Sequence, residues 1–305
     1  MKKIVRILVL ALAVALLDAC LTERRESFDP DVTLTFQPAM YMQMDGEWMG
    51  DYPAGRPFGV WAWSLQADKE WKNDAELAEP FLENEEIAPS YDVYWAPFKP
   101  VLWPSRSRRL TFIAGSPFSK VAACTKENGI EFRNVDMTLD QTDLLYTVPQ
   151  TDLDKVSSGG NVTMPFSHAL CQVAFKVKNI GTDSDGDKFN VLKIEIASAL
   201  CKGDFRSLPE PTWTIGQETA TFTFLDGNET TDTMAKQLGQ SVLLIPQRMN
   251  TTVDVTYEYH TAQGTYITFT NSCPLQADLR AGRRYTYTLA LGIGEVKFVS
   301  DVISH

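Results

Sequence analysis

Cys20 ends an apolar run that begins just after Lys2, Lys3 and Arg6, and its thiol sits where a bacterial export signal would present it for acylation. Ile7 to Leu17 is an unbroken apolar stretch of eleven residues, and Leu17-Asp18-Ala19-Cys20 occupies the place of a lipobox. The stretch is shorter than the roughly 20 apolar residues that a membrane-spanning helix needs. The expected mature chain therefore begins at Cys20, with residues 1–19 as the signal peptide, and is anchored to a membrane by acyl chains rather than threaded through it. Asp18 departs from the small uncharged residue usual at its position, so an ordinary secretory signal with a cysteine near the cleavage site stands as the second reading. Both take the protein out of the cytoplasm.

Acid–base and nucleophilic chemistry find little else to work with. The three histidines, His168, His260 and His305, have no sequence neighbour at metal-ligand or catalytic spacing. Ser167 and His168 are adjacent, which in an extended strand sends them to opposite faces. There is no Gly-x-Ser-x-Gly elbow, no phosphate-cradling glycine loop and no His-Glu-x-x-His helix. Glu83, Glu85 and Glu86 read as a solvated loop. Asp183-Ser184-Asp185-Gly186-Asp187 resembles a cation loop but lacks the spacing and distal glutamate of an EF-hand, and a polar turn is the reading preferred. The expectation is a protein without catalytic residues, bound metal or cofactor.

Cys124, Cys171, Cys201 and Cys273 make an even number, which in an exported chain permits disulfides in three connectivities. Against pairing stand the length of the chain, far above the size that needs staples, and the position of Cys171 inside an apolar alternating stretch. No Cys-x-x-Cys occurs, so zinc and thioredoxin-type redox chemistry have no support. Loss of residues 1–19 removes a net two positive charges and takes the formal charge from −11 to −13. Such a surface repels phosphates, which argues against nucleic acid as a partner and leaves the lipid as the anchor.

What must position these residues is sheet. Period-2 alternation dominates after Cys20, and long helical periodicity is nearly absent. Strands are expected at 32–36, 58–63, 110–116, 130–137, 162–166, 169–178 and 191–200, then at 212–215, 219–225, 241–245, 252–261, 265–270, 284–291 and 295–302. A short helix is expected over Ala75 to Leu82. About 285 mature residues suggest two domains, and the prolines of Ser207-Leu208-Pro209-Glu210-Pro211 suggest a break between them. The expectation is all-β: a larger N-terminal β-sandwich over residues 21–208 and a smaller one over 209–305.

Trp48, Trp61, Trp63, Trp71, Trp95 and Trp103 fall in the first 103 residues. Trp61 and Trp63, two apart, share one face of their strand and could form a stacking platform for sugar rings. Phe58, Val60 and Ala62 make the opposite face apolar too, which favours a strand buried on both sides.

Several segments together resemble the fimbrillin-like (Mfa-like) lipoproteins of Bacteroidales, subunits of type V pili. They include Pro57-Phe58-Gly59-Val60-Trp61-Ala62-Trp63, Leu102-Trp103-Pro104, Leu110 to Pro117, and Asp143-Leu144-Leu145-Tyr146. Further on come Phe166-Ser167-His168-Ala169-Leu170, Leu243-Leu244-Ile245-Pro246-Gln247, and Ala281 to Leu289. The resemblance implies two transthyretin-like β-sandwich domains, export as an outer-membrane lipoprotein with Cys20 acylated, and assembly with other fimbrial subunits at the cell surface. It also implies polymerisation by strand exchange, in which an arginine-specific protease removes an early strand and a neighbour's strand fills the groove.

The early strand would carry Val32, Leu34 and Phe36. The only arginine between it and the next strand is Arg56, and Pro57 follows it, which blocks trypsin-like cleavage. Arg24 and Arg25 precede the strand, so a cut there releases the anchor and leaves the strand in place. The expectation is an anchor-like or accessory fimbrial subunit or adhesin, with a host or bacterial surface ligand as a further partner. The competing expectation is a carbohydrate-binding surface lipoprotein of a glycan-uptake system, using Trp61 and Trp63.

Overall fold

Nine consecutive residues, Phe58 to Gln66, show why this chain folds as sheet. Phe58, Val60 and Ala62 bury into one apolar cluster while Trp61, Trp63 and Leu65 bury into another, so the strand serves two cores at once. The computed structural model describes residues 29–41, 50–90, 94–181, 186–299 and 303–304. Cys20, Arg24, Arg25, Trp48 and Asp183 to Asp185 lie outside the described residues.

The strands of the first part are β1 (Thr35–Met40), β2 (Phe58–Gln66), β3 (Glu79–Ser90), β4 (Tyr94–Pro97) and β5 (Arg108–Ser116). They continue with β6 (Ala123–Thr125), β7 (Gly129–Asp136), β8 (Leu145–Thr147), β9 (Gln150–Asp154) and β10 (Asn161–His168). One sheet runs β2-β3-β4-β1-β10-β8-β5, and because β5 also pairs with β2 it closes on itself; β9 hangs on the outside of β5. The ring is filled by Leu34, Phe36, Phe58, Val60, Ile87, Trp103, Leu110, Phe112, Val162, Met164 and Phe166. Phe36 meets Phe58 and Phe112 edge to face, with centroids 6.3 and 5.8 Å apart, the arrangement favoured by ring quadrupoles.

The later strands are β11 (Cys171–Asn179), β12 (Lys188–Leu200), β13 (Lys202–Arg206), β14 (Thr212–Ile215), β15 (Thr219–Thr230) and β16 (Lys236–Gln237). After them come β17 (Val242–Leu244), β18 (Arg248–His260), β19 (Tyr266–Asp278), β20 (Arg284–Gly292), β21 (Glu295–Phe298) and β22 (Ile303–Ser304). One sheet centres on β11 and β20, which run parallel, and the other has the order β15-β12-β18-β19. A third, small sheet, β14-β13-β7-β6, combines strands from before and after the first part ends. Its Phe205 ring packs at tilted angles on Phe132, Tyr146 and Trp213, and the Trp213 indole donates to the Ala169 carbonyl at 2.7 Å.

Four expectations change. Ser207 to Pro211 is not a gap between domains but the turn of the hairpin in which Arg206 faces Thr212, with Leu208-Pro209 cis. Residues 171–200, expected in the N-terminal domain, pair instead with strands beyond residue 219 and with β17. Prolines mark a place where backbone cannot pair, and a tight turn satisfies that as well as a linker does. The expected helix over Ala75 to Leu82 shrinks to one turn, α1 (Trp71–Asp74), and a 3-10 turn, Ala75–Leu77. Glu83, Glu85 and Glu86 lie in β3 and not in a loop, because the buried backbone of β2 demands a partner strand on that side.

Truncating Phe112, fully buried in the ring, should cost about 3–5 kcal/mol of unfolding free energy in a denaturant titration of Phe112→Ala. Phe98→Ala, at a side chain 96% exposed, should stay within about 0.5 kcal/mol of the parent.

Candidate functional site

Among the described residues β1 is the one stave of the ring that comes from before residue 57, and it is paired on both sides. Along one edge it runs parallel to β10, from Thr35 opposite Asn161 to Met40 opposite Phe166. The amide of Thr35 donates to the Gly160 carbonyl at 2.8 Å and that of Tyr41 to the Phe166 carbonyl at 2.7 Å. On the other edge Phe36 faces Trp95 of β4, the Leu34 amide donates to the Val101 carbonyl, and the Trp103 amide donates to the Val32 carbonyl, both at 2.8 Å. The sequence placed the strand at 32–36; regular pairing to β10 begins at Thr35 and runs to Met40, while residues 32–34 bridge to residues 101–103. Pro38 falls among the even-numbered positions, whose amides face β4, and the pairing to β4 stops at Phe36, so its missing donor leaves nothing unsatisfied.

Leu34 and Phe36 are buried in the ring and Val32 packs half-buried at its edge, so the three residues singled out in the sequence fill one row of sites. Removing them would expose about 1.5–3 kcal/mol of apolar burial for each of the two larger side chains, besides the unpaired edges of β4 and β10.

A latch holds the start of this segment. Asp154 caps the one-turn helix α2 (Lys155–Ser158), its carboxylate accepting from the amides of Val156 and Ser157. The helix ends in two left-handed glycines, Gly159 and Gly160. The incoming segment crosses Gly160 so closely that a Cβ there would lie 2.4 Å from Val32 Cγ1 and 2.5 Å from the Thr33 carbonyl oxygen. Lys155, with a side chain only 4% exposed, places its ammonium 2.9 Å from Asp29, and Asp29 also takes the Arg106 guanidinium at 3.2 Å and the Arg106 amide at 3.1 Å. The Lys155 hydrogen bond holds the Asp29 carboxyl below its ordinary value of 3.8, against the opposing effect of burial.

After β1 the chain returns to the ring through Tyr52 and Arg56. The Tyr52 hydroxyl donates to the Arg56 carbonyl at 2.9 Å and shares a hydrogen bond with Ser116 at 2.7 Å; burial pushes its pKa up to about 12, so it remains a neutral donor. The half-buried Arg56 amide donates to the Pro53 carbonyl and its guanidinium to the Asp143 carbonyl at 3.3 Å. A protease must draw such a bond out as an extended strand, and here its carbonyl, amide and side chain are all engaged.

The sugar platform is not formed. Trp61 and Trp63 are 6% and 7% exposed, inside the core between the ring and the later sheets, and Trp63 packs on Trp71 at 5.6 Å. Cys124, Cys171, Cys201 and Cys273 are all free thiols. The Cys171 thiol, pushed up to about 12 by burial, donates to the Leu244 carbonyl as an inert core residue. Asp187, the described acid of the supposed cation loop, accepts from the Tyr259 hydroxyl and the Ala262 amide. Among the described residues no group of three or more His, Cys, Asp or Glu side chains converges on one point. The fold does bring together one pair that spacing concealed, His168 Nδ1 and Asp143 Oδ2 at 2.7 Å, both nearly buried. Twenty-five positions separate them, and only the β8–β10 pairing makes them neighbours.

Compared with known proteins, the chain matches the profile of the fimbrillin-like family over residues 48–304. It belongs to the fimbrillin-like family. Solved structures share the fold of this fimbrillin-like chain at low identity. A fimbrial protein from Bacteroides vulgatus superposes with a TM-score of 0.66 at 16% identity, covering 88% of this chain and 98% of its own. A candidate cell adhesion protein from Bacteroides uniformis gives 0.53 at 16%, covering 90% and 97%, and another from Bacteroides ovatus gives 0.52 at 14%, covering 89% and 95%. Among curated proteins none matches the chain.

Two measurements test the latch. Gly160→Ala should destabilise the fimbrillin-like chain by more than Gly159→Ala, whose Cβ would meet nothing within 4 Å and which should lose about 1–2 kcal/mol from its left-handed backbone alone. Denaturant titration of both variants gives the comparison. A depressed carboxyl stabilises the fold above its unfolded pKa and ceases to as pH falls through the folded one, so the Asp29 contribution is complete above pH 3.8 and fades below it. Asp29→Asn should therefore lower the melting temperature at pH 7 and converge on the parent in strong acid.

Proposed function

We propose that this chain is a non-enzymatic, cell-surface fimbrial subunit, exported by residues 1–19, held at the outer membrane through acyl chains on Cys20, and joined to other subunits by donor-strand exchange. The observation that carries the reading is that β1, from before residue 57, fills the place between β4 and β10 in the ring. A sheet completed by a strand from early in the chain is a sheet that an equivalent strand from a neighbour can complete, because the ladder and the pockets for Leu34 and Phe36 suit an alternating apolar strand. Membership of the fimbrillin-like family and the shared fold of a Bacteroides fimbrial protein support the same reading.

Within an assembly we place it as an anchor or accessory subunit that keeps its first strand. Arg56 is followed by Pro57 and bound at its amide, carbonyl and guanidinium, and the latch at Asp29 and Gly160 secures the strand's other end. Arg24 and Arg25 lie before the strand, so cleavage there would free the subunit from its lipid without opening the ring. We read the two parts of the chain as structural units meeting between His168 and Cys171, each transthyretin-like, with the Phe132–Phe205–Trp213 seam between them. The glycan-uptake alternative loses its platform with the burial of Trp61 and Trp63.

N-terminal sequencing and mass analysis of the protein from intact cells test this directly. The expected surface form begins at acylated Cys20, or after Arg24 or Arg25, and Cys20→Ala should release it from the membrane fraction. A surface form beginning between Phe36 and Phe58 would overturn strand retention; absence from fimbrial fractions would overturn the subunit reading.

A further inference from the structure

Lys155 poses a problem that the strand slot must solve. Its side chain is 4% exposed, and the carboxylate it meets belongs to Asp29, on the very segment that fills the slot. The acid next to it in sequence, Asp154, is turned to the amides of Val156 and Ser157 as a helix cap. An ammonium buried without a counter-charge is costly, so loss of the acid is felt at Lys155 even though the Asp29 side chain itself is 31% exposed. Arg106, from the loop before β5, brings a second cation to the same carboxylate, so both Asp29 oxygens are engaged.

We propose that Lys155 and Arg106 form a carboxylate-recognition site at the mouth of the slot, which admits an extended strand bearing an acidic side chain five residues before the first of two apolar side chains spaced by two. Asp29, Leu34 and Phe36 supply that pattern in this chain, and the occupant recognised in trans is a peptide strand that repeats it. The inference rests on the strand-exchange reading and adds a selectivity to it. The apolar pockets accept many alternating strands, whereas the buried ammonium rejects those that leave it unpaired, which is discrimination by the penalty on the wrong partner. The site also fixes direction: reversing the strand would carry the acid to the far end of the ring, near the partner of Tyr41, Phe166.

The full chain, carrying a sequence for a site-specific protease within residues 42–49, is nicked so that its first strand is held without a covalent link. Fluorescent peptides of residues 29–41 are then offered in excess and their uptake is followed by anisotropy. The parent peptide should enter, the Asp29→Asn peptide should bind about tenfold or more weakly, and Lys155→Met in the protein should abolish the difference. Should Lys155→Met fail to fold, Arg106→Gln at the more exposed cation should narrow it. Equal uptake of the parent and Asp29→Asn peptides would overturn the recognition site and leave strand exchange standing. Failure of every peptide to enter, even when the nicked strand has first been released in denaturant and the denaturant is diluted out in the presence of excess peptide, would overturn strand exchange at this slot, and the selectivity with it.

Discussion

A closed ring of strands has no free edge, and in this protein the closure depends on the one strand that sequence order puts outside the rest. β2 to β5, β8 and β10 build a sheet that curves until β5 meets β2, yet without β1 the edges of β4 and β10 would face a gap lined by Phe58, Phe112 and Phe166. Unpaired amides and carbonyls beside an apolar interior are among the costliest arrangements a sheet can adopt. The pairing of β1 with both neighbours is thus the constraint on which the ring depends. Asp29, Lys155, Gly160 and the Tyr52–Arg56 return loop secure its two ends.

The same economy joins the two parts of the chain. Trp61, Trp63, Leu65 and Ile113 leave the outer face of the ring and enter the larger core, where β7 and β13 supply Phe132 and Phe205. The small sheet β14-β13-β7-β6 takes strands from both sides of His168, so its hydrogen bonds tie together what sequence order separates. A strand buried on both faces cannot also present tryptophans to a sugar, which is why the core role of Trp61 and Trp63 excludes the other.

Strands were legible wherever side chains alternate, because a two-residue period reports directly which face is buried; Cys171 to Asn179 and Arg284 to Gly292 are cases in point. What the local pattern cannot carry is partnership. Ser207 to Pro211 has the composition of a linker and the geometry of a hairpin turn, and only the pairing of Phe205 with Trp213 tells them apart. Glu79 to Ser90 is too acidic to look like a strand and is one because β2 and β4 flank it. Of the slot, Val32, Leu34 and Phe36 showed in the sequence. Lys155 did not, since a lysine in a polar stretch of Asp, Ser and Gly gives no sign of burial, and its partner Asp29 is 126 positions away.

With acyl chains at Cys20, as proposed, the closing strand also becomes the element through which load enters the fold. Tension from the membrane would reach β1 at its N-terminal end, past the Asp29 latch, while β10 passes at its C-terminal end into the second part of the chain. Because β1 and β10 are parallel, forces applied at those two ends slide the strands along one another, and the six registered positions from Thr35–Asn161 to Met40–Phe166 share the load. Pulling the same ladder from one end would break its bonds in succession. Forced unfolding is governed by the height of the unfolding barrier rather than by equilibrium stability, so shear across a whole ladder suits a tethered subunit better than added burial would. A strand that leaves easily would serve exchange, and one loaded in shear and latched by a buried cation serves retention, which is what the anchor role proposed above requires of Asp29, Gly160 and Arg56.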